Sequence, residues 1–237
     1  MNKALSHFQR AFGSPPILGA LLFLCATLSS EPAHAFGKKP VVVPPTPPST
    51  PTTLPISVDV IRARWETKAR DGAAWSQHVY DTLPTLAPNL LSRSPNDIAQ
   101  FCPAYGNLSA GDKKNFWVYL LSSITELESD FNPNATYTEN FKDAQGNLVV
   151  SLGLLQLSLG DGGAYGCGFG SNTDIENPTK NLDCGMRILN KLVGRDKQLA
   201  GRSVASWLGG ARYWSTLRSP KVSTIQGWTQ AIPMCAQ

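Results

Sequence analysis

The feature that most constrains the fold is a long amphipathic helical run that stops at a proline. Residues Lys113–Phe131 read KKNFWVYLLSSITELESDF and are followed directly by Asn132-Pro133. Ser109, with Asp112 three residues later, resembles a capping box that opens this helix. A helix of this length needs a covered apolar stripe, so the chain must pack other elements around it.

One side chain interrupts the apolar stripe of this helix. At about 100° per residue, Glu128 falls on the same side as Trp117, Leu121, Ile124 and Phe131. A carboxylate on an apolar stripe loses solvation, which favours the protonated form that a general acid needs at neutral pH. Glu126 points to the opposite side and is expected to be solvated. From helical phase alone, Glu128 is equally a buried carboxyl group satisfied by a partner in the core.

The first 35 residues have the pattern of a secretory signal peptide. Basic residues precede an apolar stretch at residues 17–28, and Ala33-His34-Ala35 offers a cleavage signal. Because the stretch is too short to span a bilayer comfortably, we expect export to the periplasm or the extracellular space, without stable membrane insertion after cleavage. An uncleaved anchor and a lipoprotein modified at Cys25 are the alternatives.

Two segments of different composition follow the signal peptide. Residues 36–57 contain the run VVVPPTPPSTPTTLP, whose proline density favours an extended linker. Residues 58–237 have a globular composition and the size of one domain, which we expect to be a monomer. Without Lys3, Arg10 and Glu31 the net charge is +3, too mild to indicate a nucleic-acid partner.

Four cysteines follow the signal peptide, and an even count in an exported protein suggests two disulfides. Three pairings are possible, and the sequence does not choose among them. The pairing expected here joins Cys167 to Cys184, closing a local loop, and Cys102 to Cys235, tying down the C-terminus.

The domain is predicted to be mainly α-helical with a small β-hairpin patch. Gly146-Asn147 precedes the apolar LVVSLGLLQL, which suggests the hairpin, and residues 161–171 are a glycine-rich loop. Asn177-Pro178 fits a cap with proline at the first helical position. Apolar residues at helical spacing indicate further helices at Trp75–Leu83, Val204–Leu217 and Val222–Trp228.

Most catalytic chemistries lack their residues in this sequence. His78 is the only histidine after the signal peptide, and it has no nucleophile motif nearby. No HExxH motif, no C-x-x-C pair and no phosphate-binding glycine loop occurs, so neither a metal nor a cofactor is expected. Carboxylate chemistry remains, and cleavage of a glycosidic bond suits it, because one protonated carboxyl group donates to the leaving oxygen.

Three sequence blocks resemble the lytic transglycosylase catalytic domain of the lysozyme-like superfamily. Glu128–Pro133 is similar to its E-S-x-F-N/D-P motif, and Ser151–Leu157 is similar to its G-L-M-Q-I segment. Asn177–Leu189 looks like its N/D-P-x-x-N-[IL]-x-x-G-x-x-[YL]-L helix, and the blocks occur in the family's order. The resemblance implies a lysozyme-like α+β fold.

The resemblance also implies a function and roles for particular residues. Enzymes of this family cut the β-1,4 bond between N-acetylmuramic acid and N-acetylglucosamine in peptidoglycan glycan strands. Glu128 corresponds to the single catalytic glutamate, Ser129 would orient it, and Gln156 would line the sugar groove. In a transglycosylase the incoming hydroxyl belongs to the muramic sugar, whereas in a lysozyme it is water. The acetylation state of the glycan and its peptide content stay open.

The chain departs from the family where a Tyr-Asn-Ala-Gly-like element is expected. Residues 206–214 read SWLGGARYW instead, so the local groove and the preferred glycan are expected to differ. Tyr213 is the best candidate for a phenol that faces the site, and packing against Trp214 is its alternative. Tyr137 is a second candidate for the groove, whereas Trp207 is expected in the core.

The choice between hydrolysis and transglycosylation depends on a second carboxylate, which inverting hydrolysis needs to activate water. Glu139, Asp143, Asp161 and Asp174 lie in segments that could reach the groove, but each is expected to be a solvated loop residue. A rival hypothesis is a catalytically weak protein that binds or assembles the cell wall on the same fold.

Overall fold

A computed structural model describes residues 62–236 of the chain. The predicted signal peptide and linker lie outside the described residues. The described part is mainly helical and has two small antiparallel hairpins, which confirms the predicted fold class. The helices are α1 (Gly72–Leu86), α2 (Pro88–Ser92), α3 (Ala110–Ser129), α4 (Asp161–Tyr165), α5 (Asn172–Glu176), α6 (Pro178–Asp196) and α7 (Lys221–Gln230). The strands are β1 (Thr136–Lys142), β2 (Leu148–Leu152), β3 (Ala200–Arg202) and β4 (Trp207–Gly209).

The predicted long helix is confirmed as α3, and its middle lies in the hydrophobic core. Ser109 caps its start, because the Ser109 hydroxyl accepts a hydrogen bond from the Asp112 backbone amide at 3.1 Å. The helix ends at Ser129, earlier than predicted, because Asp130 and Phe131 adopt φ angles of 48° and 63°. The Phe131 side chain nevertheless remains buried beyond the helix end.

The prediction that the Glu126 side of α3 is solvated is wrong. Ser122 is fully buried, and the Glu126 side chain is only 11% exposed, because the segment before α1 packs over this face. Arg64 and Lys68 both form ion pairs with Glu126. The Arg64 guanidinium also lies 3.5 Å from the ring centroid of Trp228 in α7. The beginning of the described chain therefore covers this side of the helix.

The predicted hairpin is confirmed as the β1–β2 pair. Thr136 pairs with Leu152 and Tyr137 with Ser151, and the register becomes irregular between Thr138 and Lys142. Asp143 accepts backbone hydrogen bonds from the connecting turn, including one from Asn147 at 2.9 Å. The hairpin follows α3 by a few residues, so it lies next to the end of the helix that carries Glu128.

The helix predicted over Val204–Leu217 is absent from the structure. This stretch contains β4, which pairs with β3, and two 3₁₀ turns. Gly209 explains the difference, because its φ is +57° and a Cβ atom there would lie 2.0 Å from the Gln198 carbonyl oxygen. The backbone is therefore packed too closely for a helix, although the apolar residues have helical spacing.

The expected disulfides, Cys102–Cys235 and Cys167–Cys184, are both present. The Asn177 cap is confirmed, since its Oδ1 accepts a hydrogen bond from the Lys180 amide at 3.1 Å. The glycine-rich stretch predicted as a loop begins instead with the short helix α4. Across residues 62–236, none of the helices has both the length and the apolar character of a membrane span.

Candidate active site

Glu128 lies in the last turn of α3, and its side chain is half-buried. The Thr216 hydroxyl donates a hydrogen bond to Glu128 Oε1 at 2.7 Å. Thr216 is fully buried in the 3₁₀ turn Ser215–Leu217, so packing fixes the position of this donor. No sequence motif pointed to Thr216, because the contact joins residues 88 positions apart.

Arg218 brings a positive charge to the same carboxyl group. Its Nε donates to the Ala211 carbonyl oxygen at 2.7 Å, and its Nη2 donates to that of Arg212 at 3.3 Å. Burial lowers the pKa of Arg218 to about 10, and the negative charge of Glu128 offsets part of this shift. Arg218 therefore stays protonated at neutral pH, where its charge acts on Glu128. Sequence reasoning missed this residue as well.

A tight turn at Gly153–Gln156 forms the second part of the site. Gly153 has a φ of +73° and Gln156 a φ of +50°, and the flanking Leu152 and Leu157 exchange backbone hydrogen bonds of 2.7 and 2.9 Å. The left-handed backbone at Gly153 favours glycine. The family's Gly-Leu-Met-Gln-Ile segment, which this stretch resembles, also has a glycine at this position. The turn is buried throughout.

The third block named by the resemblance, Asn177–Leu189 in α6, contacts this turn and holds it in place. Asn181 in α6 is fully buried; its Oδ1 accepts from the Leu155 amide at 2.9 Å, and its Nδ2 donates to the Leu152 carbonyl oxygen at 3.2 Å. A Cβ atom on Gly185 would lie 2.2 Å from Leu155 Cδ1, so glycine there lets α6 approach the turn closely. The blocks named by the resemblance are therefore neighbours in space.

Ser129 and Gln156 are both engaged in holding this turn. The Ser129 hydroxyl lies 2.8 Å from the Leu154 carbonyl oxygen, to which it donates, and 3.2 Å from that of Thr125. The Gln156 side chain is 7% exposed, and its Nε2 donates to the carbonyl oxygens of Gly153 at 3.0 Å and Ala135 at 3.1 Å. Both residues lie at the site and link its segments.

Tyr213 is 5% exposed, and its ring centroid lies 4.7 Å from that of Trp214. Its hydroxyl donates to Asp161, which also accepts the Ser158 amide at 2.8 Å and the Ser158 hydroxyl at 2.9 Å. Trp214 Nε1 donates to the Leu155 carbonyl oxygen at 2.9 Å. Tyr213 therefore packs on Trp214, as its alternative predicted, and joins the turn segment through Asp161.

The candidate second carboxylates differ in their surroundings. Glu139 on β1 is 6% exposed and accepts a hydrogen bond from the Ser151 hydroxyl at 2.7 Å, and Asp161 is fully buried, so for these two the expectation of a solvated loop residue is wrong. Asp143 lies in the exposed hairpin turn, and Asp174 binds the amide of Gly170 at 2.8 Å near the start of α5. Tyr137, on the same strand as Glu139, is 44% exposed.

One cavity of the described part of the chain lies apart from the candidate site residues. A cavity of about 260 Å³ between Arg93 and Lys197 has none of the candidate site residues in its lining. Within residues 62–236, no cluster of three His, Cys, Asp or Glu side chains could hold a metal ion.

Trp207, expected in the core, is half-buried, and its ring centroid lies 4.9 Å from the guanidinium carbons of both Arg202 and Arg218.

Comparison with known proteins identifies this arrangement. The transglycosylase SLT domain matches residues 107–221, which contain Glu128, the Gly153–Gln156 turn and Arg218. The structure of wild-type Bd0314 DslA (form 2) is 47% identical and has a TM-score of 0.73, and the match covers 76% of this chain and 100% of that chain. The chain belongs to the SLT family.

Two mutant DslA structures, each with a glutamate-to-glutamine substitution, resemble this SLT chain equally. Both are 46% identical and have a TM-score of 0.72, and the matches cover 75% and 74% of this chain and 99% and 98% of those chains. No curated protein sequence matches. SLT membership supports a lytic-transglycosylase-type function directed at peptidoglycan.

Proposed function

We propose that this SLT protein is an exported enzyme that cleaves the β-1,4 bond between N-acetylmuramic acid and N-acetylglucosamine, with Glu128 as general acid and base. The observation that carries the proposal is the setting of Glu128. It accepts a hydrogen bond from the buried Thr216 hydroxyl, and the next residue of α3, Ser129, together with Asn181 of α6, holds the Gly153–Gln156 turn. A carboxyl group oriented by Thr216 through one oxygen can transfer a proton from the other.

The DslA mutants give independent support for Glu128 and draw attention to Glu139. The two substituted glutamates of DslA lie 11 positions apart. This sequence has six glutamates, and Glu128 and Glu139 are the only two that are 11 positions apart. At 46–47% identity over nearly all of the DslA chain, the matching separation supports both residues as functional carboxylates.

In the proposed reaction Glu128 first donates its proton to the glycosidic oxygen. The bond from that oxygen to the muramic C1 atom breaks, and the sugar ring gains positive charge. Glu128, now ionised, then takes a proton from the hydroxyl group that attacks C1. If this hydroxyl is the C6 hydroxyl of the same sugar, the product is a 1,6-anhydro end; if it is water, the product is a reducing end.

The other predicted site residues serve this reaction in different ways. We propose that Ser129 and Gln156 act by fixing the Gly153–Gln156 turn as one border of the glycan site. Tyr137, the more exposed tyrosine, offers its ring to a sugar. Tyr213 acts through its bond to Asp161, which keeps the turn and the C-terminal segment together.

Hydrolysis is the second candidate outcome, and the setting of Glu139 favours it over a purely anhydro-forming reaction. Glu139 is a buried carboxyl group whose Ser151 partner directly precedes the Leu152–Leu157 bridge. A carboxylate held in place on a strand is suited to directing a water molecule. Under this proposal Glu139→Gln suppresses reducing ends and leaves any anhydro ends unchanged.

Purified peptidoglycan tests the enzymatic proposal. Wild type should solubilise the wall, and Glu128→Gln should be slower by about 10²- to 10⁴-fold, the range expected for a general acid. Mass spectrometry of the fragments then separates anhydro ends from reducing ends. Parallel digests of fully acetylated and de-N-acetylated wall would show which glycan the altered 206–214 region prefers.

The rival, a wall-binding protein with little activity, makes the opposite prediction. It would bind insoluble wall equally as wild type and as Glu128→Gln, and neither would release fragments. Export has its own test: N-terminal sequencing of the protein recovered from the periplasm or the medium should begin after Ala35. The two disulfides are consistent with an oxidising destination.

A further inference from the structure

The β3–β4 hairpin carries an arginine and a tryptophan side by side. Arg202 and Trp207 are paired across the two strands, so their side chains share one face of the hairpin. The Arg202 guanidinium carbon lies over the Trp207 ring, 4.9 Å from its centroid, within the distance at which a cation is attracted to an indole. Trp207 is half-buried, whereas Arg202 is exposed. The indole therefore gives a solvent-accessible guanidinium a preferred position.

The hairpin that carries this pair is anchored to the rest of the fold. Asp196, the last residue of α6, accepts a hydrogen bond at 2.8 Å from the amide of Gly209, two residues after Trp207. The Arg218 guanidinium also lies over the Trp207 ring and donates hydrogen bonds to two backbone carbonyl oxygens. Because its neighbours hold Trp207 in place, the ring is suited to supporting Arg202.

The surroundings of the pair contain more positive than negative side chains. Arg195 and Arg212 share a single carboxylate, that of Asp196. Arg202 forms no ion pair with a carboxylate of residues 62–236. An anion is therefore attracted to the exposed guanidinium of Arg202, and the cations around it strengthen this attraction.

The same part of the chain reaches the proposed acid. Trp207 begins a stretch that leads through two 3₁₀ turns to Thr216, whose hydroxyl donates to Glu128 at 2.7 Å. Arg218, which contacts Trp207, follows Thr216 by two positions, so their Cα atoms are at most about 7 Å apart. Trp207 also lies in the 206–214 stretch, where the chain departs from the family pattern. The pair is thus a feature of this chain, and one short segment connects it to Glu128.

We propose that Arg202, supported by the Trp207 ring, binds a carboxylate carried by the muramic acid residues of the glycan. The proposal rests on the function proposed above, which makes a muramic acid glycan the substrate. The lactyl group of muramic acid either ends in a free carboxylate or continues into a stem peptide that bears carboxylates. A guanidinium that stacks on an aromatic ring can still direct its N–H edge at a carboxylate and donate two parallel hydrogen bonds to it.

Binding to short, soluble glycan strands tests the proposal. All variants carry Glu128→Gln, so that the strands are not cleaved while affinities are measured by isothermal titration calorimetry. Three forms of the strands are compared. The first keeps its stem peptides, the second is stripped of peptides and has free lactyl carboxylates, and the third is stripped strands whose carboxylates have been converted to methyl amides.

The variants are Arg202→Gln, Trp207→Leu, the two combined, and Arg70→Gln. Arg70→Gln is the matched control, because Arg70 is also exposed and its loss changes the net charge equally. Arg70 lies in the segment before α1, which packs over the Glu126 side of α3. Thermal unfolding checks that each variant is folded, and Arg202→Gln decides alone if Trp207→Leu is not.

We expect Arg202→Gln to weaken binding of carboxylate-bearing strands by about tenfold, the value of a hydrogen bond between charged groups. Binding of the methyl amide strands should change by less than about twofold, because they have no charge for Arg202 to bind. Trp207→Leu should weaken binding of the carboxylate-bearing strands by about threefold. It should add nothing to Arg202→Gln, because the ring acts through the guanidinium.

A loss with either carboxylate-bearing form supports the proposal. If the loss is confined to peptide-bearing strands, the carboxylate belongs to the stem peptide; if it is confined to stripped strands, the carboxylate is the lactyl group. Unchanged binding in folded Arg202→Gln, an equal loss with the methyl amide strands, or an equal loss in Arg70→Gln overturns the proposal. A wild-type protein that releases no fragments from peptidoglycan overturns instead the function on which the proposal rests.

Discussion

The two sides of the last turns of α3 carry glutamates only two positions apart, yet their surroundings differ. Glu126 is held in ion pairs by Arg64 and Lys68, which come from the segment before α1. Glu128 accepts a hydrogen bond from Thr216, in the segment after β4, and experiences the charge of Arg218. The comparison shows that helical phase selects a side but the covering segment decides the chemistry of the carboxyl group.

This difference has a physical consequence for each residue. Burial alone would raise the pKa of Glu126, but the hydrogen bonds and charges of Arg64 and Lys68 outweigh it and hold the pKa below its usual value. Glu126 is therefore ionised in neutral solution and suited to joining two segments. Glu128 accepts a hydrogen bond from the Thr216 hydroxyl of the C-terminal segment, which orients the carboxyl group.

The largest expected effect concerns the turn on the Glu128 side. Gly153→Ala should destabilise the protein by about 2–4 kcal/mol, because a Cβ atom would lie 2.5 Å from Asn181 Nδ2 and 2.7 Å from the Ile175 carbonyl oxygen. Urea unfolding measures this loss. Gly146→Ala is the matched control: its φ of +85° is also left-handed, but open space surrounds it, so we expect about 1 kcal/mol. Equal losses at both positions would show that the Asn181 contact is unimportant.

The next prediction tests whether Thr216 orients the Glu128 carboxyl group for the reaction, apart from any contribution that it makes to the stability of the fold. Thr216→Val keeps the shape of the side chain but removes the hydrogen bond to Glu128, so kcat/KM should fall by about tenfold, the value of one hydrogen bond. Steady-state kinetics on glycan strands gives the measurement. Thr229→Val is the control, since Thr229 is equally buried but bonds the Ile225 carbonyl oxygen of its own helix. A similar loss of activity in the control would refute a specific role for Thr216.

The smallest effect tests the Glu126 side. Glu126→Gln should leave activity within about threefold of wild type and lower the free energy of unfolding by about 1 kcal/mol at pH 7. Because the folded-state pKa of Glu126 is lowered, its contribution is present above the ordinary value of 4.5 and is lost as the pH falls through the lowered one. Unfolding curves of variant and wild type should therefore converge in acid; a constant gap from pH 7 to pH 3 would exclude this linkage.

Much of the local structure followed from the sequence. The cap at Ser109, the cap at Asn177 and the β1–β2 hairpin depend on residues within a few positions of one another, and all were predicted correctly. The Val204–Leu217 stretch was predicted wrongly because its apolar spacing is helical. Gly209-Gly210 in its middle was the available signal, since a backbone at +57° and in contact with Gln198 requires glycine.

The candidate site was predicted only in part, because some of its residues are far apart in the sequence and belong to no motif. The motifs led to Glu128, Ser129 and Gln156, and in the structure Ser129, the residue after Glu128, bonds the turn that contains Gln156. Thr216 and Arg218 carry no motif, so only the folded chain reveals them beside Glu128. Tyr213 was chosen for its chemistry, and the structure shows its hydroxyl group bonded to buried Asp161.

The sequence by itself determined the long helix α3, its phase and the family, because each depends on residues that are neighbours along the chain or on blocks of fixed order. Only the tertiary structure decided that Glu126 forms ion pairs with Arg64 and Lys68 and that Glu128 accepts a hydrogen bond from Thr216. Those contacts join residues 58 and 88 positions apart, and they depend on which segment packs over each side of α3. The helical periodicity of the sequence predicts the side on which each glutamate lies, but it does not predict which segment packs over that side.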